Sequence, residues 1–187
     1  MNQILRKYLP LCILACVITS HLDAEIFTKP TGDTKILPNN STLKEIWNEG
    51  EFTEGVAVNS KGDIYFSDIA FNPKEKGRIL KLDPQSGTVK VHCKDSGKSN
   101  GLFFDSKGRL IAACGANGGH RAIVEIKPDG TVVVIQSKFD GKQFNSPNDL
   151  VIDSLNNIYF SDPRYVGPEP IELDHQSVFR ITPQGKV

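Results

Sequence analysis

The sequence predicts an all-β fold of the β-propeller type, with about three four-stranded blades present in the chain. A 15-residue pattern that begins at Glu54 (EGVAVNSKGDIYFSD) recurs without gaps at Asn100 (NGLFFDSKGRLIAAC) and at Asn148 (NDLVIDSLNNIYFSD). The starts lie 46 and 48 residues apart, and each interval contains short apolar or alternating segments separated by turn residues. Four strands in a repeat of this length are typical of a propeller blade.

The first repeat shows why strands are expected at these places. Segment 78–82 (RILKL) alternates apolar and polar residues as a half-buried strand does, and 83–87 (DPQSG) is a typical turn. The sequence NSKG at 59–62 is likewise a turn between two apolar segments. The predicted strands of this repeat are 56–58, 64–67, 78–82 and 88–93.

The second and third repeats follow the same scheme. Their predicted strands are 101–104, 110–113, 122–126 and 131–135, then 150–152, 158–160 and 178–181. The sequence ends at Val187, just inside the expected fourth strand of the third repeat, so we expect a fragment of a longer protein. Segment 42–47 (TLKEIW) is expected as an outer blade strand, which makes 42–187 a partial propeller with blades starting near 54, 100 and 148. Residues 25–41, a mostly polar segment that contains two prolines, one glycine and an Asn-Asn pair, are predicted to be a linker.

Residues 1–24 are predicted to be an export signal. Arg6 and Lys7 form a positive start, and the mostly apolar run at 9–18 is too short to span a bilayer. An exported location, periplasmic or secreted, is therefore expected. The alternative is a membrane-anchored lipoprotein, because the sequence ILAC resembles a processing box that would leave a lipid on Cys16.

The composition is that of an ordinary globular chain. The 22 Lys and Arg residues balance 22 Asp and Glu residues, and no basic run occurs, so no nucleic-acid partner is expected. Cys93 and Cys114 remain once the signal is set aside. An exported chain permits a disulfide between them, but the favoured interpretation is two buried thiols on strands.

The first residues of the three patterns carry the strongest functional signal. Glu54, Asn100 and Asn148 place side-chain oxygens at one equivalent position. The first strands of a propeller line its central channel, so equivalent positions in successive blades converge on the axis. Such oxygens suit Ca²⁺, Mg²⁺ or Mn²⁺, and the lack of His or Cys argues against the usual kind of zinc site. The alternative is that the asparagines cap loop ends; three aligned oxygen residues favour a site.

Three motifs resemble the senescence-marker-protein/gluconolactonase family. They are TEGVAVNSKGDIYFSD, SNGLFFDSKGRL and, most specifically, NSPNDLVIDSLNNIYFSDPRY. The resemblance covers the chain from about Trp47 to its end, half or slightly more of such a protein. It implies a six-bladed propeller that holds a divalent cation on its axis, commonly Ca²⁺, with Mg²⁺, Mn²⁺ and Zn²⁺ as alternatives. It also implies hydrolysis of a sugar lactone.

The resemblance further implies roles for individual residues. Glu54 matches the metal-ligand glutamate of the family, and Asn148 matches an asparagine that faces both metal and substrate. Asn100 matches a channel position that is expected to contact substrate. The aspartate that serves as metal ligand and proton shuttle would lie beyond Val187, so no catalytic residue is assigned.

Two more residues are candidates for substrate contacts. His120 follows the loop ANGG at 116–119, which in a propeller overhangs the channel mouth, although an exposed loop histidine is the simpler interpretation. Arg164 lies in a segment that resembles a rim element of the family. Asp68 and Asp162, at the ends of second strands, are expected to accept turn hydrogen bonds.

These observations lead to one main hypothesis and two alternatives. The main hypothesis is a metal-dependent hydrolase whose partner is a small-molecule lactone. The first alternative is a non-catalytic propeller that binds a protein or ligand, since the fold serves both purposes. The second is hydrolysis of phosphoester-like substrates at the same cation site.

Overall fold

The fold is seen in a computed structural model, which describes residues 32–187. Within that range the chain forms 13 β-strands and no helix. No helix in this range is therefore long and apolar enough to cross a membrane. The predicted export signal at 1–24, with Cys16, lies outside the described residues, as does the first part of the predicted linker. The predicted all-β fold class is confirmed.

The described residues fall into two units, with the boundary between Glu45 and Ile46. The described residues of the first unit form turns, and one of these is closed by a hydrogen bond from the Ile36 N–H to the Asp33 carbonyl oxygen at 3.0 Å. All of the strands described below belong to the second unit.

The strand predicted at 42–47 is not formed, and that prediction is wrong. Its composition suits a strand, but a strand also needs a neighbouring edge with which to pair. The side chains of Leu43 and Ile46 are exposed. Trp47 contributes in another way, because its ring packs edge-on against Phe66 with 5.5 Å between centroids.

The first repeat forms a complete antiparallel blade. Its strands pair in chain order, and they are β1 (Thr53–Val58), β2 (Ile64–Asp68), β3 (Arg78–Asp83) and β4 (Thr88–Cys93).

The second repeat forms an equivalent blade, and the third contributes three strands. The second blade contains β5 (Ser99–Phe104), β6 (Leu110–Cys114), β7 (Ala122–Ile126) and β8 (Val132–Gln136). A short hairpin that the sequence did not predict follows, formed by β9 (Lys138–Phe139) and β10 (Lys142–Gln143). The third sheet contains β11 (Leu150–Ile152), β12 (Ile158–Asp162) and β13 (Ser177–Ile181).

A recurring side chain closes the turn after each first strand. The Asn59 side-chain oxygen accepts hydrogen bonds from two backbone N–H groups of the following turn, at 2.9 and 3.0 Å. Asp105 and Asp153 do the same in the second and third repeats. The hydrogen bond from the Asn157 amide, together with these backbone donors, holds the pKa of Asp153 below its ordinary value. The repeat therefore encodes a turn as well as the strands on either side of it.

Strand β6 of the second sheet is buried on both faces. All five residues of β6 are buried, because alternate side chains enter different cores: Leu110 and Ala112 face the first sheet, whereas Ile111 and Ala113 face the third. This explains why β6 reads as a continuous apolar segment rather than an alternating one. Cys93 and Cys114 lie in the first of these cores as free, buried thiols, as the favoured interpretation predicted.

The first strands of successive sheets lie against one another. The Ser67 hydroxyl donates to the Asn100 carbonyl oxygen at 2.8 Å, and the Gly101 N–H donates to the Asn148 carbonyl oxygen at 2.7 Å. Gly55 has a φ of +58°, and a Cβ added there would lie 1.8 Å from the Asn100 oxygen. A side chain at position 55 would therefore force the first two blades apart.

This contact predicts an unequal effect of two glycine substitutions. Gly87 has a φ of +68°, but a Cβ added there would meet nothing within 4 Å. Gly87→Ala should therefore cost about 1–2 kcal/mol of unfolding free energy through backbone strain alone. Gly55→Ala should cost about 1–3 kcal/mol more, because the blades must also move apart. Denaturant unfolding of the full-length protein measures both, and equal losses would show that the two first strands can separate without penalty.

Candidate functional site

The three equivalent oxygen residues line one cavity. It has a volume of about 500 Å³, and Glu54, Asn100 and Asn148 all contribute to its wall. Each side chain is only partly exposed. The structure therefore brings together the residues that the repeat pattern singles out, whereas His120 and Arg164 are not among the residues that line this cavity.

The local backbone explains how these side chains reach the cavity. The pairing of β1 with β2 shifts register between Glu54 and Ala57, and the pairing of β5 with β6 shifts between Ser99 and Leu102. Such bulges change the direction of a side chain and are frequent beside functional sites. Asn148 lies just before β11, where its N–H donates to the Ser161 carbonyl oxygen at 3.0 Å.

The side chains of the three oxygen residues are not used by the fold. In the described range 32–187, the side chains of Glu54, Asn100 and Asn148 make no hydrogen bond and no ion pair to protein. The turn residue Asn59 shows what a capping asparagine looks like here, since its side chain binds two backbone N–H groups. The capping interpretation of Asn100 and Asn148 therefore has no support, and their oxygens are available to a ligand.

These donors suit part of the coordination sphere of a hard cation. A carboxylate and two carboxamides are the oxygen ligands that Ca²⁺ and Mg²⁺ prefer. Among the described residues, no three His, Cys, Asp or Glu side chains lie close enough together to hold a metal ion by themselves. Since Ca²⁺ takes six to eight oxygens, Glu54, Asn100 and Asn148 fit as a partial set that other oxygens must complete.

Asp162 fixes the loop that carries Asn148. Its buried carboxylate accepts hydrogen bonds from the Asn145 N–H at 2.8 Å and the Ser146 N–H at 2.7 Å. Burial raises the pKa of Asp162 above its ordinary value, against the opposing effect of these donors. The sequence predicted a hydrogen-bond acceptor here, and the structure shows that the acceptor supports the candidate site.

Two arginines hold the same loop from its carbonyl side. Nε of Arg121 donates to the Phe144 and Asn145 carbonyl oxygens at 2.7 and 3.1 Å. Nη1 of Arg164 donates to the Asn145 carbonyl oxygen at 2.8 Å, and the Arg164 side chain is only 7% exposed. This geometry gives Arg164 a role in positioning the loop. The other predicted substrate contact, His120, is exposed and lies against Gly97. The backbone N–H of His120 donates to the Gly97 carbonyl oxygen at 3.0 Å.

Sequence reasoning missed a buried lysine in the wall of the cavity. Lys98 is 3% exposed, and its ammonium group donates to the carbonyl oxygens of Ala70 and Asn72. Burial lowers the pKa of Lys98. A lysine in the polar sequence KDSGKSN is typical of a solvated loop residue, so no local signal indicates this burial.

Comparison with known proteins agrees with this geometry. Residues 52–187 match the family model described as SMP-30/Gluconolactonase/LRE-like region. A gluconolactonase of Zymomonas mobilis is 30% identical over 174 residues, which cover 81% of this chain and 46% of the relative. The solved structure of XC5397, a gluconolactonase from Xanthomonas campestris, aligns with a TM-score of 0.66 and 29% identity over 75% of this chain and 47% of that one.

A more distant structure shares only the fold. A luciferin-regenerating enzyme aligns with a TM-score of 0.52 and 15% identity over 73% of this chain and 46% of its own. The chain thus spans about half the length of the relatives that it matches. The family match begins before Glu54 and runs to Val187, so it includes all three repeats and all three cavity oxygens. The chain belongs to the SMP-30/gluconolactonase/LRE-like family.

Proposed function

We propose that the full-length protein hydrolyses a lactone with the help of a divalent cation. Ca²⁺ is the first candidate for this cation, with Mg²⁺, Mn²⁺ and Zn²⁺ as alternatives. One observation carries the proposal: Glu54, Asn100 and Asn148 line one cavity, and in the described residues their side chains have no protein partner. A blade needs no such residues for its own stability, because its first strands are held by backbone pairing.

The named relatives support the class of reaction. The relatives from Zymomonas mobilis and Xanthomonas campestris are both gluconolactonases. Since this chain matches about half of each, the activity of the whole protein is proposed from the family and the cavity together.

The reaction adds one water molecule to a cyclic ester. The water oxygen bonds to the carbonyl carbon, the ring C–O bond breaks, and a proton passes from the attacking water to the departing alkoxide, giving a hydroxy acid. When bound, a divalent cation supplies Lewis acidity at the carbonyl oxygen. Among the described residues that line the cavity, Glu54 is the one acidic side chain.

Each cavity residue then has a defined part in binding or orientation. Glu54 and Asn148 hold the cation through hard oxygens. Asn100 and Asn148 orient the lactone, because a carboxamide can donate to a ring oxygen or accept from a hydroxyl group. The loop contacts of Asp162 and Arg121 keep Asn148 in place before substrate arrives, which reduces the entropy lost in reaching the reactive geometry.

A charge-removing substitution tests the cation site. Glu54→Gln should weaken cation binding about tenfold or more and should lower lactone turnover in parallel, because one anionic ligand is lost while the shape is nearly kept. Cation affinity is measured by calorimetry, and turnover by acid release from D-glucono-1,5-lactone. Glu49→Gln is the matched control, since Glu49 is exposed and does not line this cavity.

The outcomes separate catalysis from binding. Equal behaviour of the Glu54 and Glu49 variants would overturn the cation assignment. Tight cation binding without hydrolysis of any lactone would instead favour a non-catalytic propeller that binds a ligand.

A second pair of substitutions distinguishes a residue that contacts the ligand from a residue that holds the loop in place. Asn148→Ala should lower kcat about tenfold or more while changing the unfolding free energy by less than about 0.5 kcal/mol, since its side chain holds no part of the fold. Asp162→Asn should lower both turnover and stability, the latter by about 1–3 kcal/mol, because a buried backbone N–H loses its acceptor. Kinetics and denaturant unfolding of both variants provide the test. A large stability loss in Asn148→Ala would mean that this side chain has a structural role.

A further inference from the structure

The outer part of the cavity is apolar. Four large side chains contribute to its wall and remain exposed, and we call them the apolar rim: Phe52, Phe71, Tyr165 and Val166. The ring centroids of Phe52 and Phe71 lie 5.7 Å apart. Exposed apolar groups that gather at one cavity indicate a binding surface. The side chains of Glu54, Asn100 and Asn148 are less exposed than the rim, and we call their oxygens the inner oxygens.

The backbone beneath Phe71 is held from several sides. The buried ammonium of Lys98 binds the carbonyl oxygens of the residues before and after Phe71. The Phe71 N–H donates to the Glu51 carboxylate at 2.9 Å, and the Phe71 carbonyl oxygen accepts from the Asn117 amide at 3.0 Å. Burying a lysine is costly unless it is well hydrogen-bonded. Four contacts thus fix a residue whose own side chain is 63% exposed.

The segment of Tyr165 and Val166 is tied to the same loop. The Glu169 carboxylate accepts hydrogen bonds from the backbone N–H groups of Asn117 and Gly118, at 3.1 and 2.5 Å. The Arg164 guanidinium in turn binds Glu169. Both sides of the apolar rim are therefore anchored to the loop that contains Asn117.

Rigid support under exposed apolar groups has a physical consequence. A surface that is already ordered loses little conformational entropy when it binds a ligand. Aromatic rings also offer a large contact area with few rotatable bonds. A lactone with hydroxyl groups all around its ring would use the inner oxygens but would leave much of this rim exposed to water.

We propose that the apolar rim binds a hydrocarbon or aromatic substituent of the substrate, so that the preferred lactone carries such a group on its ring. This inference rests on the proposed lactone hydrolysis and narrows its substrate class. The inner oxygens and the cation bind the ester group, and the rim binds the substituent.

A homologous series of lactones tests this specificity in the full-length protein. With the cation present, kcat/KM should rise about two- to fourfold for each added methylene from γ-butyrolactone through γ-hexalactone to γ-nonalactone. γ-Nonalactone should be a better substrate than D-glucono-1,5-lactone. A flat series, or a preference for the sugar lactone, would overturn the inference and leave the proposed hydrolysis intact.

A substitution in the rim gives the matched comparison. Phe71→Ala should lower the ratio of kcat/KM for γ-nonalactone to that for γ-butyrolactone by about five- to tenfold. Leu155→Ala is the control, because Leu155 is 72% exposed in a turn and does not line the cavity. Leu155→Ala should leave the ratio unchanged, and an equal effect of the two variants would count against the rim.

A binding measurement separates this inference from the proposed reaction. Calorimetry compares a γ-lactam that carries a hexyl chain with the unsubstituted lactam, so no turnover is required. If no lactone is hydrolysed but the hexyl lactam binds more tightly in a Phe71-dependent manner, the lactonase proposal and the substrate preference fail, and only the binding of an apolar group at the rim stands. If the two lactams bind equally, the rim inference fails whether or not lactones are hydrolysed.

Discussion

The candidate site depends on the close approach of backbone between neighbouring first strands. A Cβ at Gly55 would lie 1.8 Å from the Asn100 carbonyl oxygen, and one at Gly101 would lie 2.4 Å from the Asp149 carboxylate. Glycine is therefore required directly after Glu54 and after Asn100. The residue before each glycine lies at a change of strand register, where its side chain turns towards the cavity. The same packing that stacks the blades thus places Glu54 and Asn100 at one cavity, which Asn148 joins from the residue pair before β11.

Buried charges fix the loops around that space. Asp162 and Arg121 bind the N–H and carbonyl groups of the loop before Asn148, and Lys98 binds the carbonyl groups beside Phe71. Irregular loops leave many backbone groups unpaired, and these must be satisfied when they are buried. A charged side chain with several donors or acceptors can satisfy more than one such group at once. In this protein the buried charges determine where the exposed groups of the site lie.

The sequence predicts the blades and the three oxygens, but not this support. Strands such as β3 alternate with a period of two, and a repeat makes their equivalence visible, so both follow from local pattern. The strand predicted at 42–47 is absent, and the hairpin of β9 and β10 was not predicted. Local pattern fails at both places because strand pairing also depends on a neighbouring edge. The burial of Lys98 depends on carbonyl groups 26 and 28 residues earlier in the chain. A single sequence carries no periodic signal for a contact of that kind.

The inner oxygens are fixed by the packing of the blades, whereas the rim lies outside the blade strands. Glu54 and Asn100 lie in first strands and Asn148 lies just before one, so blade packing sets the positions of the inner oxygens. The rim comes from Phe52 just before β1 and from the segments after β2 and after β12, where residues can change without disturbing a blade core. A luciferin-regenerating enzyme and a gluconolactonase both share this fold. For the present protein, the proposed ester chemistry therefore depends on Glu54, Asn100 and Asn148, and the proposed choice among lactones depends on Phe71 and its neighbours on the rim.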